Sequence, residues 1–298
     1  MTNKTLLVTG AAGFTGHHFI QQASARGFNC IALVQSEPSR QLPCESIIID
    51  LLDFEGLKGA LSQYQVDYVV HLAAIAFVGH GSVDDIYRTN IVGTTNLLDA
   101  LIDTQESIAK VLIASSGNVY GNNTQLPLTE ASTLDPVNDY AVSKCAMELA
   151  ISVRANKLPI VITRPFNYTG AGQHPNFLIP KIVSAFKNKH AELQLGNLDV
   201  ARDFTDVRDL VTAYCMLLET PQSLGTFNVC SGQATSLQSV IEMCEQHAGY
   251  KMKIIVNPDF VRENEIKTLY GSEHKLRSVL GEYRQYTLQE TIQWMLED

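Results

Sequence analysis

Residues 5–16 read TLLVTGAAGFTG, a short apolar run followed at once by a loop with glycines at positions 10, 13 and 16. An amphipathic segment near His17–Arg26 comes next, so the loop joins a predicted strand to a predicted helix. Glycines there let the backbone approach a pyrophosphate, and a helix N-terminus offers free N–H groups and the positive end of its dipole. The stretch therefore predicts a dinucleotide site, rather than an ordinary tight turn, at Gly10, Gly13, Phe14, Thr15 and Gly16.

The same alternation of apolar runs and amphipathic segments continues through about the first 165 residues. The predicted strands are Thr5–Val8, Cys30–Val34, Ser46–Ile49, Tyr68–His71, Lys110–Ala114 and Pro159–Thr163. The predicted helices lie near His17–Arg26, Phe54–Tyr64, Ile91–Asp103 and Tyr140–Asn156. Buried strands that alternate with helices predict an α/β fold, a Rossmann-type doubly wound parallel sheet that is covered on both faces.

The pattern changes after Arg164, where prolines and glycines interrupt the chain. Further helices are predicted near Lys181–Lys187, Leu237–Ala248 and Leu288–Leu296. A helix at Asp206–Leu218 and a strand at Thr226–Val229 return to the main sheet. We therefore predict two interleaved domains. Residues 1–166 plus about 202–230 bind the dinucleotide, and residues of about 167–201 plus 231–298 form a smaller substrate domain.

The composition excludes several classes of protein. Of the 298 residues 45% are hydrophobic and 18% charged, which favours a large buried core. A net charge of −9 argues against a general nucleic-acid binder. No run approaches the roughly 20 apolar residues of a membrane span, and the N-terminus lacks a signal peptide, so we expect no membrane partner and a cytoplasmic location. The six cysteines are scattered without a C-x-x-C motif, which predicts reduced thiols and no metal site.

Further cofactor contacts are expected at the carboxyl ends of the strands. Gln35 ends the second strand, where an acidic residue would bind the adenosine ribose. Ser36 and Arg40 follow and suit a 2′-phosphate, so NADP is slightly favoured over NAD. After the third strand, Asp50 suits either the adenine amine or a strand-end turn, and Leu51 adjoins it. The backbone of Leu72, Ala73 and Ala74 is expected to line the cofactor after the fourth strand.

Three residues form a candidate catalytic group. Tyr140 and Lys144 lie four residues apart, and therefore on one face of a predicted helix. The ordinary pKa of tyrosine is about 10, and lowering it by ~3 units with a lysine and a nicotinamide charge needs ~4 kcal/mol. Ser116 follows an apolar strand, where its hydroxyl can polarise a carbonyl, and its spacing to Tyr120 favours it over Ser115. A Y-x-x-x-K pair alone is more often a surface feature, but here the glycine loop precedes it.

Several motifs occur in a fixed order along nearly the whole chain. They are Gly10/Gly13/Gly16, His71-Leu-Ala-Ala74, Asn90-Ile-Val-Gly-Thr94, Ser116 with Tyr120-Gly121, Tyr140-x-x-x-Lys144 and Arg164-Pro-Phe-Asn167. In this respect the sequence resembles the extended short-chain dehydrogenase/reductase family, whose members modify nucleotide sugars. The resemblance implies an NAD(P)-dependent oxidoreductase, a nucleotide-diphosphate sugar as substrate, and a homodimer that forms a four-helix bundle from two helices per subunit. It also adds Asn90 and Pro165 to the expected cofactor contacts.

The residues after Ser116 narrow the reaction. The 4,6-dehydratases of this family have acidic residues there, because elimination of water needs an acid and a base beyond the tyrosine. This chain has Gly117 and Asn118 instead, which favours reduction of a keto-sugar or epimerisation through a transient ketone. Residues 164–173, 196–206, 227–232 and 115–121 resemble the GDP-6-deoxy-D-mannose reductases, which reduce GDP-4-keto-6-deoxymannose at C4. Residues 260–265 depart from the arginine-proline-aspartate run expected in many relatives.

Several alternatives stay open at this point. The nucleotide is GDP or dTDP, with dTDP-4-keto-6-deoxyglucose as the second possible substrate, and the product configuration is undecided. A nucleotide-sugar 4-epimerase would keep NAD tightly bound and consume none. A non-catalytic dinucleotide sensor is disfavoured, because such a protein is expected to lose Ser116, Tyr140 or Lys144.

The substrate contacts are predicted from residue type and position. Arg202 and Arg262 are candidates for the diphosphate, since a guanidinium matches phosphate oxygens bidentately, although solvated surface arginines are the plainer interpretation. Asn167 and Asn176 are candidate nucleotide contacts or turn caps. His80 is left undecided. The remaining candidates are Val78, Ser116, Gly117, Asn118, Phe177, Lys181, Gly196 and Glu265.

Overall fold

The computed structural model describes residues 4–76, 82–261 and 266–298. Its strands are β1 (Thr5–Thr9), β2 (Asn29–Val34), β3 (Glu45–Ile48), β4 (Tyr68–His71), β5 (Lys110–Ala114), β6 (Ile160–Pro165), β7 (Asn167–Thr169), β8 (Glu192–Leu195), β9 (Ala201–Arg202), β10 (Phe204–Asp206), β11 (Gly225–Val229), β12 (Thr235–Ser236), β13 (Lys253–Val256) and β14 (Thr268–Leu269). Its helices are α1 (Phe14–Ala25), α2 (Phe54–Leu61), α3 (Val83–Tyr87), α4 (Thr94–Thr104), α5 (Asp139–Ser152), α6 (Leu178–Lys187), α7 (Val207–Glu219), α8 (Leu237–Ala248), α9 (His274–Leu280) and α10 (Leu288–Glu297).

Seven strands form one parallel sheet in the order β11-β6-β5-β4-β1-β2-β3. The central strands are rich in buried Val, Leu and Ile, as expected where both faces of a parallel sheet are covered. The direction of the strand order reverses between β1 and β4, and folds of this kind bind ligands beside the carboxyl ends of the strands at that point. The predicted Rossmann-type sheet is therefore confirmed.

Helices cover the two faces of the sheet because strand side chains alternate. Leu6 and Val8 of β1 pack with α1 and α7, whereas Leu7 between them packs with α2, α4 and α5 on the opposite face. The two layers leave the carboxyl ends of β1, β4 and β5 side by side at one edge of the sheet.

A separate apolar cluster lies among α6, α8 and α10, and includes Phe186, Val240 and Ile292. This cluster supports the proposed companion domain. Leu276 of α9 and Tyr283 instead pack in the cluster that contains α1 and α7. The exact two-domain division stays a proposal, and residues 276–283 fit the main core better than the companion.

Some predicted element bounds are wrong for identifiable reasons. The helix predicted to begin at Ile91 is preceded by α3 and by a π-helical turn, Arg88–Gly93. Ser82 and Asp85 cap α3 reciprocally through their side chains, a start signal that the apolar pattern hides. The strands β7, β8, β10 and β13 were not predicted, because such short strands show little periodicity. In the structure β7 pairs with β10, and β8 pairs with β13.

The described residues contain neither a membrane-spanning helix nor a cluster of metal-binding side chains. In residues 4–76, 82–261 and 266–298, no helix has the length and apolar character needed to cross a membrane. The same ranges contain no group of three or more His, Cys, Asp or Glu side chains that would hold a metal ion. All six cysteines lie within these ranges as free thiols.

Candidate active site

The glycine loop lies against the backbone that follows β4. Gly10 has φ +66°, and a Cβ atom added to it would lie 2.6 Å from the Ala73 nitrogen, so only glycine fits there. The first turn of α1 has neither a capping side chain nor an acidic residue, which leaves its N–H groups available to an anion. The loop with Gly13, Phe14, Thr15 and Gly16 therefore fits the pyrophosphate of a dinucleotide.

The residues expected at the adenosine end lie together beyond β2 and β3. The Gln35 side-chain amide donates to Asp50 Oδ2 at 3.0 Å, and the Leu52 nitrogen donates to Asp50 Oδ1 at 2.9 Å. Gln35, Ser36 and Arg40 are exposed, whereas Leu51 is buried. Burial and then the charge of Arg40 lower the pKa of His17, which places Arg40 near the first turn of α1.

Asn90 connects the carboxyl end of β4 to the helix layer. It is buried within the π-helical turn, a kind of turn that is frequent at functional sites. Its Oδ1 accepts from the Ile75 nitrogen at 2.9 Å, directly after Leu72, Ala73 and Ala74. Pro165 is buried at the end of β6, where it pairs with Val229. The structure thus brings these cofactor candidates to one edge of the sheet.

The three catalytic candidates meet beyond the end of β5. Ser116 accepts a hydrogen bond from the Asn118 nitrogen at 3.1 Å, and its hydroxyl lies close enough to the phenol of Tyr140 to favour the lower pKa of that phenol. The Lys144 ammonium donates to the Ala114 carbonyl at 2.8 Å. The Ser115 hydroxyl instead donates to Glu148 Oε1 at 2.5 Å, and Ser116 stays the predicted substrate contact. A phenol, a hydroxyl and an ammonium therefore converge at the sheet edge.

The protein groups around Tyr140 do not by themselves lower its pKa. Burial, and then the neighbouring Tyr168, raise the pKa of Tyr140, and the nearby Ser116 hydroxyl offsets this only in part. Burial also lowers the pKa of Lys144 to about 8, against an opposing contribution from Glu148. In the chain alone the ammonium is directed to a backbone carbonyl, so desolvation of the phenolate dominates. Tyr140 consequently holds its proton at neutral pH. The predicted lowering also invokes the charge of the nicotinamide, and it therefore stays a prediction for the enzyme with bound cofactor.

No carboxylate directly follows Ser116. A Cβ atom on Gly117 would lie 3.0 Å from the Phe166 ring, so the packing excludes a larger residue unless that ring moves. Asn118 is half-buried beside it and carries an amide, which cannot exchange a proton at neutral pH. Ser116 and Tyr140 therefore supply hydroxyl groups and Lys144 an ammonium at this point, and none of the three is a carboxylate.

The substrate candidates fall into two groups. Lys181 donates to the Gln194 carbonyl at 3.0 Å and lies 4.4 Å from the centre of the Phe260 ring, while Gly196 packs against the Phe260 carbonyl. Arg202 donates to the Lys267 carbonyl at 3.2 Å.

The second group consists of exposed residues on the segment that links β6 to α6, namely Asn167, Asn176 and Phe177. Val78, His80, Arg262 and Glu265 lie outside the described residues.

A buried polar network behind the catalytic candidates was not predicted from the sequence. Glu148 accepts from Arg164 Nε at 2.9 Å and from Arg164 Nη2 at 2.6 Å, and Arg164 Nη1 donates to the Tyr120 hydroxyl at 2.9 Å. Tyr120 in turn donates to Asn228 Oδ1 at 2.6 Å. The spacing offered a signal, since Glu148 lies four residues after Lys144 and eight after Tyr140, on the same helical face.

Comparisons with known proteins agree with this geometry. The profile of the family described as GDP-mannose 4,6 dehydratase matches residues 7–295. A GDP-6-deoxy-D-talose 4-dehydrogenase from Aggregatibacter actinomycetemcomitans is 33% identical over 283 residues, covering 95% of this chain and 93% of the relative. A GDP-6-deoxy-D-mannose reductase from Pseudomonas aeruginosa is 33% identical over 304 residues, covering 98% and 96%.

Solved structures give the same result. A Burkholderia cenocepacia protein that carries a provisional epimerase assignment superposes with a TM-score of 0.93 at 44% identity, covering 99% of this chain and 97% of the other. RMD from Pseudomonas aeruginosa, crystallised with NADPH, superposes with a TM-score of 0.85 at 31% identity, covering 99% and 97%. The chain therefore belongs to the GDP-mannose 4,6-dehydratase-like family of extended short-chain dehydrogenases/reductases, as an NAD(P)-dependent enzyme that acts on CH–OH groups.

Proposed function

We propose that the enzyme reduces the C4 ketone of a GDP-linked 4-keto-6-deoxyhexose, forming GDP-6-deoxy-D-mannose or its talose epimer. The observation that carries the proposal is a phenol–hydroxyl pair, Tyr140 with Ser116, next to Gly117 and Asn118, which supply no carboxylate. Reduction needs one proton donor, whereas dehydration needs a further acid and base. Two relatives at 33% identity are named for the two directions of such a reaction.

Tyr140, Ser116 and Lys144 have separate roles in the proposed reduction. Bound NAD(P)H supplies a hydride to the ketone carbon. Tyr140 donates the proton that the resulting alkoxide needs, and its raised pKa keeps that proton in place until charge develops on the oxygen. Ser116 hydrogen-bonds the same oxygen and stabilises the developing charge. Lys144 binds the ribose hydroxyls of the cofactor.

The cofactor preference is proposed to be NADPH. The residue directly after β2 is Gln35, where an NAD-specific enzyme would have an acidic residue that repels a 2′-phosphate. The side-chain amide of Gln35 donates to Asp50. Arg40 is exposed in the loop after β2 and lies near the first turn of α1. A guanidinium in that position suits a 2′-phosphate.

The nucleotide sugar is proposed to lie between this edge and the companion helices. We propose that Lys181, Gly196 and Arg202 contact the nucleotide sugar from one side and that Asn167 and Asn176 contact it from the other. The positive groups on this side suit a diphosphate. Product configuration follows from which face of the ketone meets the nicotinamide.

We also propose that two copies associate through α4 and α5 of each subunit. Val142 and Leu149 of α5, with Val153 directly after it, are exposed and share one helical face, and Val92 is exposed on the neighbouring π-helical turn. A second copy of the same surface would cover this apolar stripe in a four-helix bundle.

A second candidate is a 4-epimerase, favoured by the provisional epimerase assignment of the Burkholderia cenocepacia neighbour. An epimerase returns the hydride to the same sugar and shows no net cofactor consumption, whereas a reductase consumes one cofactor per turnover.

The deciding assay follows loss of reduced-nicotinamide absorbance with GDP-4-keto-6-deoxymannose and, separately, dTDP-4-keto-6-deoxyglucose. We expect stoichiometric NADPH loss with the GDP sugar, and the product configuration is then determined by NMR. Tyr140→Phe should lower kcat by about 10²–10⁴-fold while cofactor binding persists. Tyr250→Phe is the matched control, since this phenol donates to the Phe186 carbonyl in the companion helices. Interconversion of C4 epimers without NADPH loss would instead establish the epimerase.

A further inference from the structure

A line of buried polar groups runs from the glycine loop to the catalytic helix. Its side chains are Thr9, His71, Thr94, Asn90 and Ser143, each at most 1% exposed. Thr9 directly precedes Gly10, and Ser143 directly precedes Lys144. Burying five polar side chains is costly unless each finds a partner, so the pairing between them determines the geometry of this region.

The hydrogen bonds in this line fix the proton positions on His71. The Thr94 hydroxyl donates to the Asn90 carbonyl at 2.7 Å, so its proton is already used. Thr94 Oγ1 also lies 2.8 Å from His71 Nε2, and it must therefore accept a proton from that nitrogen. His71 Nδ1 then carries no proton and accepts from the Thr9 hydroxyl at 2.6 Å. The Thr9 oxygen in turn accepts from the Ala73 nitrogen at 3.3 Å.

The line continues through Asn90 to the backbone of the proton donor. The Asn90 amide donates to Ser143 Oγ at 2.9 Å and to the Ile75 carbonyl at 3.2 Å. The Ser143 hydroxyl donates to the Tyr140 carbonyl at 2.7 Å. One continuous set of hydrogen bonds therefore joins the backbone beside the glycine loop to the first turn of α5.

We propose that His71 is a positioning residue, a neutral Nε2–H imidazole that holds the cofactor edge and the catalytic helix in register. The proposal deepens the proposed function and rests on Tyr140 as its proton donor. His71 suits the place because one ring presents an acceptor to Thr9 and a donor to Thr94 at opposite ends. An imidazolium would present two donors and break the bond from Thr9.

The surroundings of His71 keep it neutral. Burial, and then the positive charge of Lys144, lower the pKa of His71 to about 3. The ring therefore keeps one tautomer over the whole working range of pH. Neutrality also spares Lys144 a second cation beside it, which would oppose its own charge.

The first test determines the tautomer. Histidine-selective ¹⁵N NMR of the whole enzyme is expected to show one neutral Nε2–H ring that does not titrate between about pH 5 and 8. His71→Asn assigns the signal by deleting it. An Nδ1–H ring, or a ring that titrates in this range, would overturn the proposal, and this result does not depend on the identity of the sugar substrate.

The second test separates positioning from stability. Thr94→Val keeps the volume but removes the acceptor for His71 and the donor to Asn90, and we expect kcat to fall about 10- to 100-fold through misplacement of the catalytic helix. Ser223→Ala is the matched control. It removes a buried hydroxyl that donates to the Leu217 and Thr220 carbonyls near the opposite end of the sheet, and kcat should change less than about twofold.

Equal effects of the two variants on kcat, at equal losses of Tm, would refute positioning by this line. If the wild-type enzyme turns over neither sugar, NADPH affinity provides the readout. Thr94→Val should then weaken NADPH binding while Ser223→Ala leaves it unchanged, and unchanged binding in both variants would refute the proposal.

Discussion

Helix α5 reverses part of the usual arrangement of a surface helix. Besides the apolar Met147 and Ile151, which pack against the sheet, its buried side carries polar groups, and its exposed side carries apolar ones. Its inner face, defined here by Ser143, Lys144 and Glu148, is polar and buried, with Lys144 only 3% exposed. Its outer face, defined here by Val142, Leu149 and the adjoining Val153, is apolar, with Leu149 70% and Val153 74% exposed. A helix that stabilised only its own fold would place these residues the other way round.

The inner face shows what the reversal provides for chemistry. Each of its polar groups has a partner: Ser143 bonds the Tyr140 carbonyl, Lys144 the Ala114 carbonyl, and Glu148 the guanidinium of Arg164. Buried ion pairs contribute little net stability, yet leaving one partner alone is expensive. The polar groups of the inner face therefore fix the position of the side chains around them more than they add net stability, and each depends strongly on its partner.

The largest expected difference between the faces is in stability. Glu148→Gln leaves the buried Arg164 without a counter-ion, and we expect the free energy of unfolding to fall by about 3–5 kcal/mol. Asp99→Asn is the matched control, because Asp99 forms a two-point ion pair with Arg154 beside the end of α5, but in a more exposed place. Its loss should cost about 1 kcal/mol or less in urea unfolding. Similar losses of unfolding free energy in the two variants would contradict the strong mutual dependence of the polar groups on the inner face.

Much of the main sheet was predictable because its signals are local. The strands β1, β4 and β5 are continuous apolar runs, and the glycine loop lies between a strand and a helix. The grouping of Ser116, Tyr140 and Lys144 was also predictable, since parallel strands bring their carboxyl ends to one edge. The end of a strand places a residue at an edge of the sheet without giving the direction of its side chain.

What could not be predicted depends on contacts between distant parts of the chain. Lys144 binds the carbonyl of Ala114, 30 residues away, rather than the phenol one turn before it. Arg208 lies between the rings of Tyr286 and Trp294, at 3.5 and 4.0 Å from their centres, which no local pattern indicates. The π-helical turn around Asn90 was hidden because its sequence continues an ordinary helical pattern.

A medium-sized effect is expected from pH, because burial lowers the pKa of Lys144 to about 8. Above pH 8 the ammonium loses its proton, so kcat/KM for NADPH should fall, approaching about tenfold per pH unit. Glu148 on the same helix face opposes the lowering, and His71 beside Lys144 is neutral. Lys144→Arg stays charged and should lack this alkaline limb, whereas Lys157→Met, an exposed lysine past α5, should keep it.

Stability should change with pH in the opposite direction. The ordinary pKa of lysine, 10.5, applies to the unfolded chain, so between pH 8 and 10.5 the unfolded state binds more protons at this residue than the folded state. The cost of burying the charge is therefore present below pH 8 and is relieved as the pH rises. If the fall in kcat/KM begins only near pH 10, Lys144 is not desolvated as the structure indicates.

The smallest effect on the reaction is expected from the outer face. Replacing Leu149 and Val153 together by glutamate should convert the proposed dimer to a monomer of 32.8 kDa, because carboxylates cannot be buried against each other in a four-helix bundle. Sedimentation equilibrium measures the mass, and kcat should change less than about twofold, since the exposed outer face adjoins none of the catalytic side chains. Leu224→Glu, an exposed leucine before β11, should leave the mass unchanged. A wild-type enzyme that is monomeric, or a double variant that still dimerises, would contradict the proposed dimer interface. A large loss of kcat in the double variant would show that the two faces of α5 are coupled.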